Sequence, residues 1–451
     1  MNQRTVDMTV GSPLKHILNF AWPLILANFG QQLYMIADAA IVGRGVGVGA
    51  LAAVGATDWC YWMILWTVTG LTQGFSTFVS RYFGEGNYPR MNQVIATSTI
   101  LCAIISIVLT VGGMLATTPL LRLLNTPEDI LPGAATYLLT MIAGTLIVAA
   151  YNMASAILRS FGDGKSPLIA MIVAALLNIG LDCLFIFCFH WGIFGAAMAS
   201  VLSQGVSFLY CLYRLKKIDC ICLDKNAWKL DWGLIKTLIA FGLPLALRTI
   251  IITLGGIILQ SSINTQGSHF IAGYTATNKL YGLLECSAIS LGLASCTFFA
   301  QNYGAGKHKR MIQGLRVSIL IISAMAVVVA IFTLLGRAFL LQMFLDVNEP
   351  GGTEALAIGI RYLTIIVCFT LILYLLHIFS NILEAMGISI WVMISGVAEF
   401  FGRVIMAKVI IHRIGTDALF ISEPVAWFAA TVFLVTPYFY YKKKLLLKKA
   451  D

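Results

Sequence analysis

Long apolar segments recur along the whole chain, and several of them, such as 319–335 and 362–379, contain no Asp, Glu, Lys or Arg. A helix needs about 20 predominantly apolar residues to cross a bilayer. Hydrophobic residues make up 59% of the chain and charged residues 11%, whereas a soluble domain is about half apolar and about a quarter charged. These segments therefore exclude a soluble globular or disordered chain and predict a helical integral membrane protein.

Polar breaks between the apolar segments divide the chain into spans. With spans of about 20 residues and short connections of about 15, the 451 residues have room for roughly a dozen crossings. We expect an all-α, multi-pass protein with twelve transmembrane helices, at residues 17–42, 51–80, 94–116, 136–157, 167–189, 193–213, 237–263, 271–299, 312–335, 357–380, 390–411 and 419–441.

Basic residues gather in alternate connecting segments. Lys and Arg outnumber Asp and Glu by 30 to 20. With both termini inside, the inner segments hold 20 basic residues and the outer loops 4, or 5 with Arg361. Lys and Arg are enriched in cytoplasmic loops, so we expect cytoplasmic termini. A short chain without targeting extensions fits a bacterial plasma membrane, which is the location we expect. Cytoplasmic loops beside the lipid bilayer then account for the net charge of +10, so we expect no nucleic-acid partner. We also expect the protein to be a monomer.

The two halves of the chain repeat one another. Residues 20–24 return at 241–245, 56–58 at 276–278, 82–91 at 303–311, and 157–162 at 382–387. We therefore predict two six-helix lobes, residues 1–220 and 221–451. Because six spans is an even number, the second copy enters the membrane in the same direction, which gives a parallel repeat with a pseudo-twofold axis along the membrane normal. Two such lobes can enclose a central cleft, and rocking one lobe against the other can open this cleft alternately to the two sides of the membrane.

Pro23 and Pro244 occupy matching positions in the first helix of each half. A proline inside a membrane helix removes a backbone hydrogen bond and permits a bend, whereas a proline in the first turn is a common helix start. Both interpretations are open from the sequence, and Pro23 is the candidate bending residue of span 1.

Ionisable residues inside spans are costly and by default mark functional sites. In the first half, Asp38 in span 1 and Asp182 in span 5 lie toward the same membrane face, and Asn178 precedes Asp182 by one helical turn. Asn152 and Ser200 are further oxygen donors. We expect these five residues to bind the coupling ion. This ion is either Na⁺, held mainly by Asp38, Asn178 and Asp182, or H⁺; a purely structural role is the alternative.

Tyr34 and Gln31 precede Asp38 by four and seven residues and share a stripe of span 1 with it. An aromatic ring, an amide and a carboxylate on one inward stripe suit an amphipathic cation. The alternative is ordinary helix packing.

The second half lacks this pattern, because Arg403 and Ala407 stand where the first half has Asn178 and Asp182. Glu399 and Arg403 are spaced i, i+4, which favours a local ion pair. We therefore expect a carboxylate cation site only in the first half. The roles of five other polar residues remain open between lining the cleft and satisfying a neighbour: Asp58, Arg248, Lys279, Glu285 and His377.

The sequence contains no GxxxxGK[ST] loop, and its six histidines lack HExxH spacing. These absences argue against transport driven by ATP hydrolysis within this chain and against a metalloprotease. We expect a transporter rather than an enzyme, with no cofactor other than the coupling ion.

On these residues the chain resembles the multidrug and toxic compound extrusion (MATE) family. The matching motifs are Asp38 followed by Ile-Val-Gly-Arg-Gly at 41–45, Gln-Asn-Tyr-Gly-Ala-Gly at 301–306, and Asn-Ile-Gly-Leu-Asp at 178–182. The resemblance covers nearly the whole chain. It implies cation-coupled antiport of amphiphilic, often cationic compounds through a cleft between two lobes.

Within that family, the resemblance is to the branch of the DinF type. It implies an ion site at Asp38, Asn152, Asn178, Asp182 and Ser200, and a substrate cavity at Gln31, Tyr34, Asp38 and Asn152. The NorM-type branch carries acids in spans 7 and 10, and this chain has none in 248–263 or 362–379.

Two other functions stay open from the sequence. One is a flippase that moves a lipid-linked precursor or polysaccharide unit with the same fold. The other is a membrane-embedded enzyme that uses Asp38 and Asp182 as an acid–base pair. Dependence of activity on an ion gradient separates the enzyme from the transporters.

Overall fold

A computed structural model describes residues 5–124, 126–345, 347 and 350–447. All of the regular structure in these residues is helical. The helices are α1 (Pro13–Gly45), α2 (Val48–Glu85), α3 (Tyr88–Leu123), α4 (Leu131–Ala143), α5 (Thr145–Ser160), α6 (Lys165–Cys183), α7 (Gly192–Leu215), α8 (Trp232–Ile263), α9 (Ser268–Gly304), α10 (His308–Gln342), α11 (Gly352–Cys368), α12 (Thr370–Ala385), α13 (Ser389–Ile405), α14 (Ile411–Ile414) and α15 (Asp417–Leu447).

Each of the twelve predicted spans coincides with one long helix or one bent pair of helices. In the described residues, eight helices are long and apolar enough to cross a membrane, and the bent pairs α4–α5 and α11–α12 raise that number to ten. The other two predicted spans coincide with α1 and α2, which have 33 and 38 residues. At 1.5 Å per residue both exceed the roughly 30 Å of a hydrocarbon core. The predicted all-α architecture is confirmed.

The outward surface of these helices is apolar. Leu115 on α3 and Leu335 on α10 are 77% and 84% exposed. A helix that is hydrophobic on every side is typical of a membrane span, because lipid covers the side that the protein does not. Three of the basic residues used to predict the orientation, Arg4, Lys448 and Lys449, lie outside the described residues.

The chain forms two compact units. Unit 1 comprises residues 1–8 and 22–246, and unit 2 comprises 9–21 and 247–451. The division therefore falls inside α1 and inside α8. Pro23 and Pro244 lie within three residues of these two points, ten or more residues into their helices. Both are interior prolines, which excludes the alternative of a first-turn helix start for Pro23.

Matching features in the two units confirm the internal repeat. α4 and α5 meet at 46°, and α11 and α12 meet at 47°. α6 continues into a π-helical turn at Leu184–Cys188, and α13 continues into one at Met406–Ile410. Gly86 and Gly306, which end the loop motif of each half, have φ of 78° and 67°, a left-handed conformation that glycine adopts without strain.

Equivalent helices also build an apolar core in each unit. In unit 1, α2, α3 and α4 contribute Ala53, Cys60, Leu121, Leu131, Ala134, Leu138 and Ile142. In unit 2, α9, α10 and α11 contribute Ala276, Leu280, Leu341, Leu363 and Val367. The duplicated sequence thus folds into the same local packing twice.

Candidate functional site

In unit 1, five of the predicted site residues come together where α1, α6 and α7 meet. α1 supplies Tyr34 and Asp38, which lie one helical turn apart, α6 supplies Asn178 and Asp182, and α7 supplies Ser200. Asn178 and Asp182 are 0% exposed and Ser200 is 5% exposed. Residues separated by four positions share one helix face, so the predicted spacing in α6 brings both side chains to this point.

Asp38 and Asp182, the carboxyl pair, lie within hydrogen-bonding distance of one another. One oxygen of each, Oδ1, is buried and has no hydrogen-bond partner in the protein. Two carboxylates in contact repel strongly in a low-dielectric environment, and an unsatisfied buried oxygen is costly. The geometry therefore favours a bound positive species, a proton or a metal cation, between the two groups.

A polar layer behind the carboxyl pair orients Asp182. With its amide oxygen turned toward Ser200, Asn178 donates to Asp182 Oδ2 at 2.8 Å and accepts from the Ser200 backbone N–H at 3.2 Å. The hydroxyls of Tyr34 and Ser200 share a hydrogen bond of 3.3 Å. These contacts link α1, α6 and α7 through side chains. Asn178 thus positions Asp182, and Ser200 in turn holds Asn178 and Tyr34.

Asn152 and Gln31 are placed differently from the other predicted site residues. The Asn152 amide donates to the Val148 carbonyl of its own helix, α5, at 2.9 Å, and the side chain is partly buried. Gln31 is exposed on α1. In this structure neither residue hydrogen-bonds to the carboxyl pair through a described contact.

In unit 2, the predicted pair of Glu399 and Arg403 is present, with 3.5 Å between the charged groups. It belongs to a larger arginine–glutamate network of Arg248, Glu399, Arg403 and Glu423. Arg403 donates twice to Glu423, at 2.9 Å each, and Arg248 donates to Glu399 at 3.3 Å. All four side chains are at least four-fifths buried.

Glu423 is the partner that the sequence analysis missed. It lies in α15, twenty residues after Arg403, so no helical spacing connects the two. A signal was present, because Glu423 is an acid inside predicted span 12 and intramembrane acids by default have a partner or a function.

The structure shows which of the five polar residues with open roles have a charged neighbour and which are exposed. His377 Nε2 on α12 lies 3.8 Å from Glu285 Oε1 on α9. Arg248 joins the arginine–glutamate network. Lys279 and Asp58 are exposed on α9 and α2. Glu285 and His377 are thus neighbours, whereas Lys279 lies on a different face of α9.

No three His, Cys, Asp or Glu side chains among the described residues are grouped so that they could share a metal ion. The carboxyl pair offers two carboxylates, and any further ligands of a metal cation there would be amide or hydroxyl oxygens. Such an oxygen-only set suits a hard cation.

Comparison with known proteins identifies relatives over nearly the whole chain. A family model described as MatE matches twice, over residues 23–184 and 244–409. "Probable multidrug resistance protein YpnP" of Bacillus subtilis (strain 168) is 30% identical over 398 residues, which covers 88% of each chain. "Probable multidrug resistance protein YoeA" of the same organism is 29% identical over 442 residues, covering 95% of this chain and 94% of the relative.

The fold is shared with solved MATE structures. One of them, described as "Crystal structure of MATE in the bent conformation", has a TM-score of 0.90 at 23% identity and covers 98% of both chains. The twelve predicted spans and the repeated units define a multi-pass membrane protein of transporter architecture. The chain belongs to the MATE family of multidrug efflux transporters. Its bacterial relatives place it in a bacterial plasma membrane.

Proposed function

We propose that this transporter exports amphiphilic or cationic compounds in exchange for Na⁺ or H⁺, and that the carboxyl pair binds the coupling ion. The observation that carries the proposal is the contact between Asp38 and Asp182, each with an unpartnered buried oxygen. A site of this kind is stable when it holds one positive species and is strained when it holds none.

Exchange follows from competition for that site. A coupling ion that neutralises the carboxyl pair removes the charge that attracts a cationic compound, and its departure restores that charge. The Tyr34 ring, one helical turn from Asp38, offers an aromatic face to an organic cation. We include Gln31 and Asn152 in the substrate site as well, since a polar side chain on α1 or α5 can reach a bound compound without touching the carboxyl pair.

Pro23 supplies a means for the site to change shape. It lies in the interior of α1, fifteen residues before Asp38, and a proline there lacks one backbone hydrogen bond and permits a bend. A fold neighbour has been solved in a bent conformation. We propose that α1 bends at Pro23 when the carboxyl pair changes occupancy, that the two lobes rock during transport, and that both termini are cytoplasmic.

The test is efflux of a fluorescent organic cation from proteoliposomes under sodium and proton gradients imposed separately. We expect wild type to respond to one gradient, which names the coupling ion. Asp38→Asn and Asp182→Asn should lose that response, because asparagine keeps the size of the side chain and removes its charge. Asp224→Asn is the matched control: the same change in the loop between α7 and α8 should leave the response intact.

Two results would contradict the proposal. One is undiminished gradient-driven efflux in both Asp38→Asn and Asp182→Asn. The other is folded wild-type protein that moves the dye under neither gradient. That result would favour a lipid-linked cargo instead.

A further inference from the structure

An apolar groove runs along the surface of unit 2 between α13 and α15. It has a volume of about 400 Å³, and each residue that lines it is apolar. The floor of the groove is half-buried, whereas its walls are exposed. Ala398, Gly402 and Ala429 contribute to the floor, and Phe401, Ile405 and Phe433 contribute to the walls. The groove therefore offers an apolar ligand a recess rather than a smooth helix surface.

Small side chains and a close approach of two helices create the groove. A Cβ on Gly402 would lie 2.8 Å from the Ala426 Cα, so the backbones of α13 and α15 pass close together here, as small residues permit in membranes. Unit 1 has larger side chains at the equivalent positions, because the repeat puts Val173 and Leu177 where unit 2 has Ala398 and Gly402. The recess is thus a feature of unit 2 that the duplication does not explain.

The length of the groove suits a lipid acyl chain. Its lining on the α13 side extends from Ile394 to Met406, a distance of about 18 Å at 1.5 Å per residue. The acyl chains of one leaflet span about half of the roughly 30 Å hydrocarbon core. The groove can therefore accommodate an acyl chain along its length.

A cation lies beyond one end of the groove. Lys408 is exposed in the π-helical turn after α13, three positions after the wall residue Ile405, so the two residues lie on the same side of the helix. None of the ion pairs among the described residues includes Lys408. The chain has no Asp or Glu from 400 to 416, and Asp417 pairs with Arg361 at 2.7 Å. A charged residue within a membrane span by default has a partner, and the described part of the chain supplies none.

We propose that this groove binds one acyl chain of an anionic phospholipid and that Lys408 binds the phosphate of the same molecule. The apolar lining recognises the chain, and the uncompensated charge of Lys408 favours an anionic headgroup over a zwitterionic one. A lysine near the end of a membrane helix reaches the headgroups with its long stem. The site lies wholly in unit 2 and does not depend on which ion or compound is transported.

The test is native mass spectrometry of the full-length protein, delipidated in detergent and titrated with dioleoyl phosphatidylglycerol or dioleoyl phosphatidylcholine. These lipids have the same acyl chains and differ in headgroup charge. We expect the first lipid bound by wild type to be held more tightly when it is phosphatidylglycerol. Lys408→Gln should weaken that binding about fivefold, which is the contribution of one lysine beside an anionic lipid surface. Lys236→Gln, at an exposed lysine of α8, is the matched control and should keep the preference.

A second variant tests the recess itself. Ala398→Leu/Ala429→Leu fills the floor of the groove and should weaken the binding of both lipids. Ala324→Leu, the same change at an exposed position of α10, is the matched control and should bind both as wild type does. The melting temperature reports whether each variant is folded. Lys408→Gln alters an exposed side chain, so it tests the site even if the filled variant does not fold.

Three results would overturn the inference. One is unchanged lipid binding in the folded Ala398→Leu/Ala429→Leu variant. Another is a preference for phosphatidylglycerol that persists in Lys408→Gln. The third is a wild-type dimer that becomes a monomer when the groove is filled, because a second copy of the chain would then be the occupant.

Discussion

Replacing Arg403 with methionine tests the arginine–glutamate network directly. Arg403 donates twice to Glu423 at 2.9 Å, lies 3.5 Å from Glu399, and donates to the Ile252 carbonyl at 3.3 Å. The Glu399 and Glu423 side chains are 6% and 13% exposed, so water screens them little. Methionine preserves the apolar stem of Arg403. Among the described residues it leaves Glu399 paired with Arg248 and leaves Glu423 without an ion-pair partner.

Arg403→Met should lower the free energy of unfolding substantially, because Glu399 and Glu423 remain buried without Arg403. Removing one member of a buried ion pair costs about 3–5 kcal/mol, since the remaining charge is uncompensated. At about 2–4 °C per kcal/mol for a unit of roughly 200 residues, the melting temperature of Arg403→Met should fall by about 10 °C. The double variant Arg403→Met/Glu423→Gln should recover at least half of this loss, because it removes one of the stranded charges.

Thermal unfolding of the purified protein in detergent, followed by tryptophan fluorescence, measures the effect. Trp427 is 1% exposed and stacks on Tyr281, close to the network on α15. Arg361→Met is the matched control: its pair with Asp417 is 2.7 Å long but 61% and 41% exposed, and such pairs contribute about 0–1 kcal/mol. Equal melting temperatures for Arg403→Met and Arg361→Met, or no recovery in the double variant, would refute this reasoning.

Two further predictions concern unit 1. A Cβ on Gly144, between α4 and α5, would lie 2.4 Å from Val201 Cγ2, so Gly144→Ala should destabilise the protein by about 1–3 kcal/mol. Adding Val201→Ala to Gly144→Ala should restore the melting temperature. If it does not, the strain lies elsewhere than at Val201. The Arg90 guanidinium, 2.7 Å from Asp231 just before α8, lowers the pKa of that carboxyl. A lowered pKa in the folded state adds stability above about pH 4 that is lost as the pH falls further. Asp231→Asn should therefore melt below wild type at pH 7, and the difference should shrink as the pH falls below about 4. A difference as large at pH 3 as at pH 7 would contradict this assignment.

Much of the architecture follows from the sequence because membrane insertion is a local property. Whether a segment of about 20 residues enters hydrocarbon depends on its own transfer free energy. The twelve spans, the repeat and the rarity of acids inside spans are therefore visible without any tertiary information. The Asn178–Asp182 and Glu399–Arg403 pairs were predictable for the same reason, since a spacing of four residues fixes a shared helix face.

Contacts between distant helices were decided by the tertiary structure alone. Hydropathy does not determine how a helix is rotated or which helix lies beside it, because lipid and protein interior are equally apolar to an aliphatic side chain. The sequence predicted Asp38 and Asp182 as members of one ion site toward the same membrane face, but only packing put their carboxyl groups in contact. Packing likewise made Glu423 the main partner of Arg403, brought His377 to Glu285, and divided α1 and α8 between the two units.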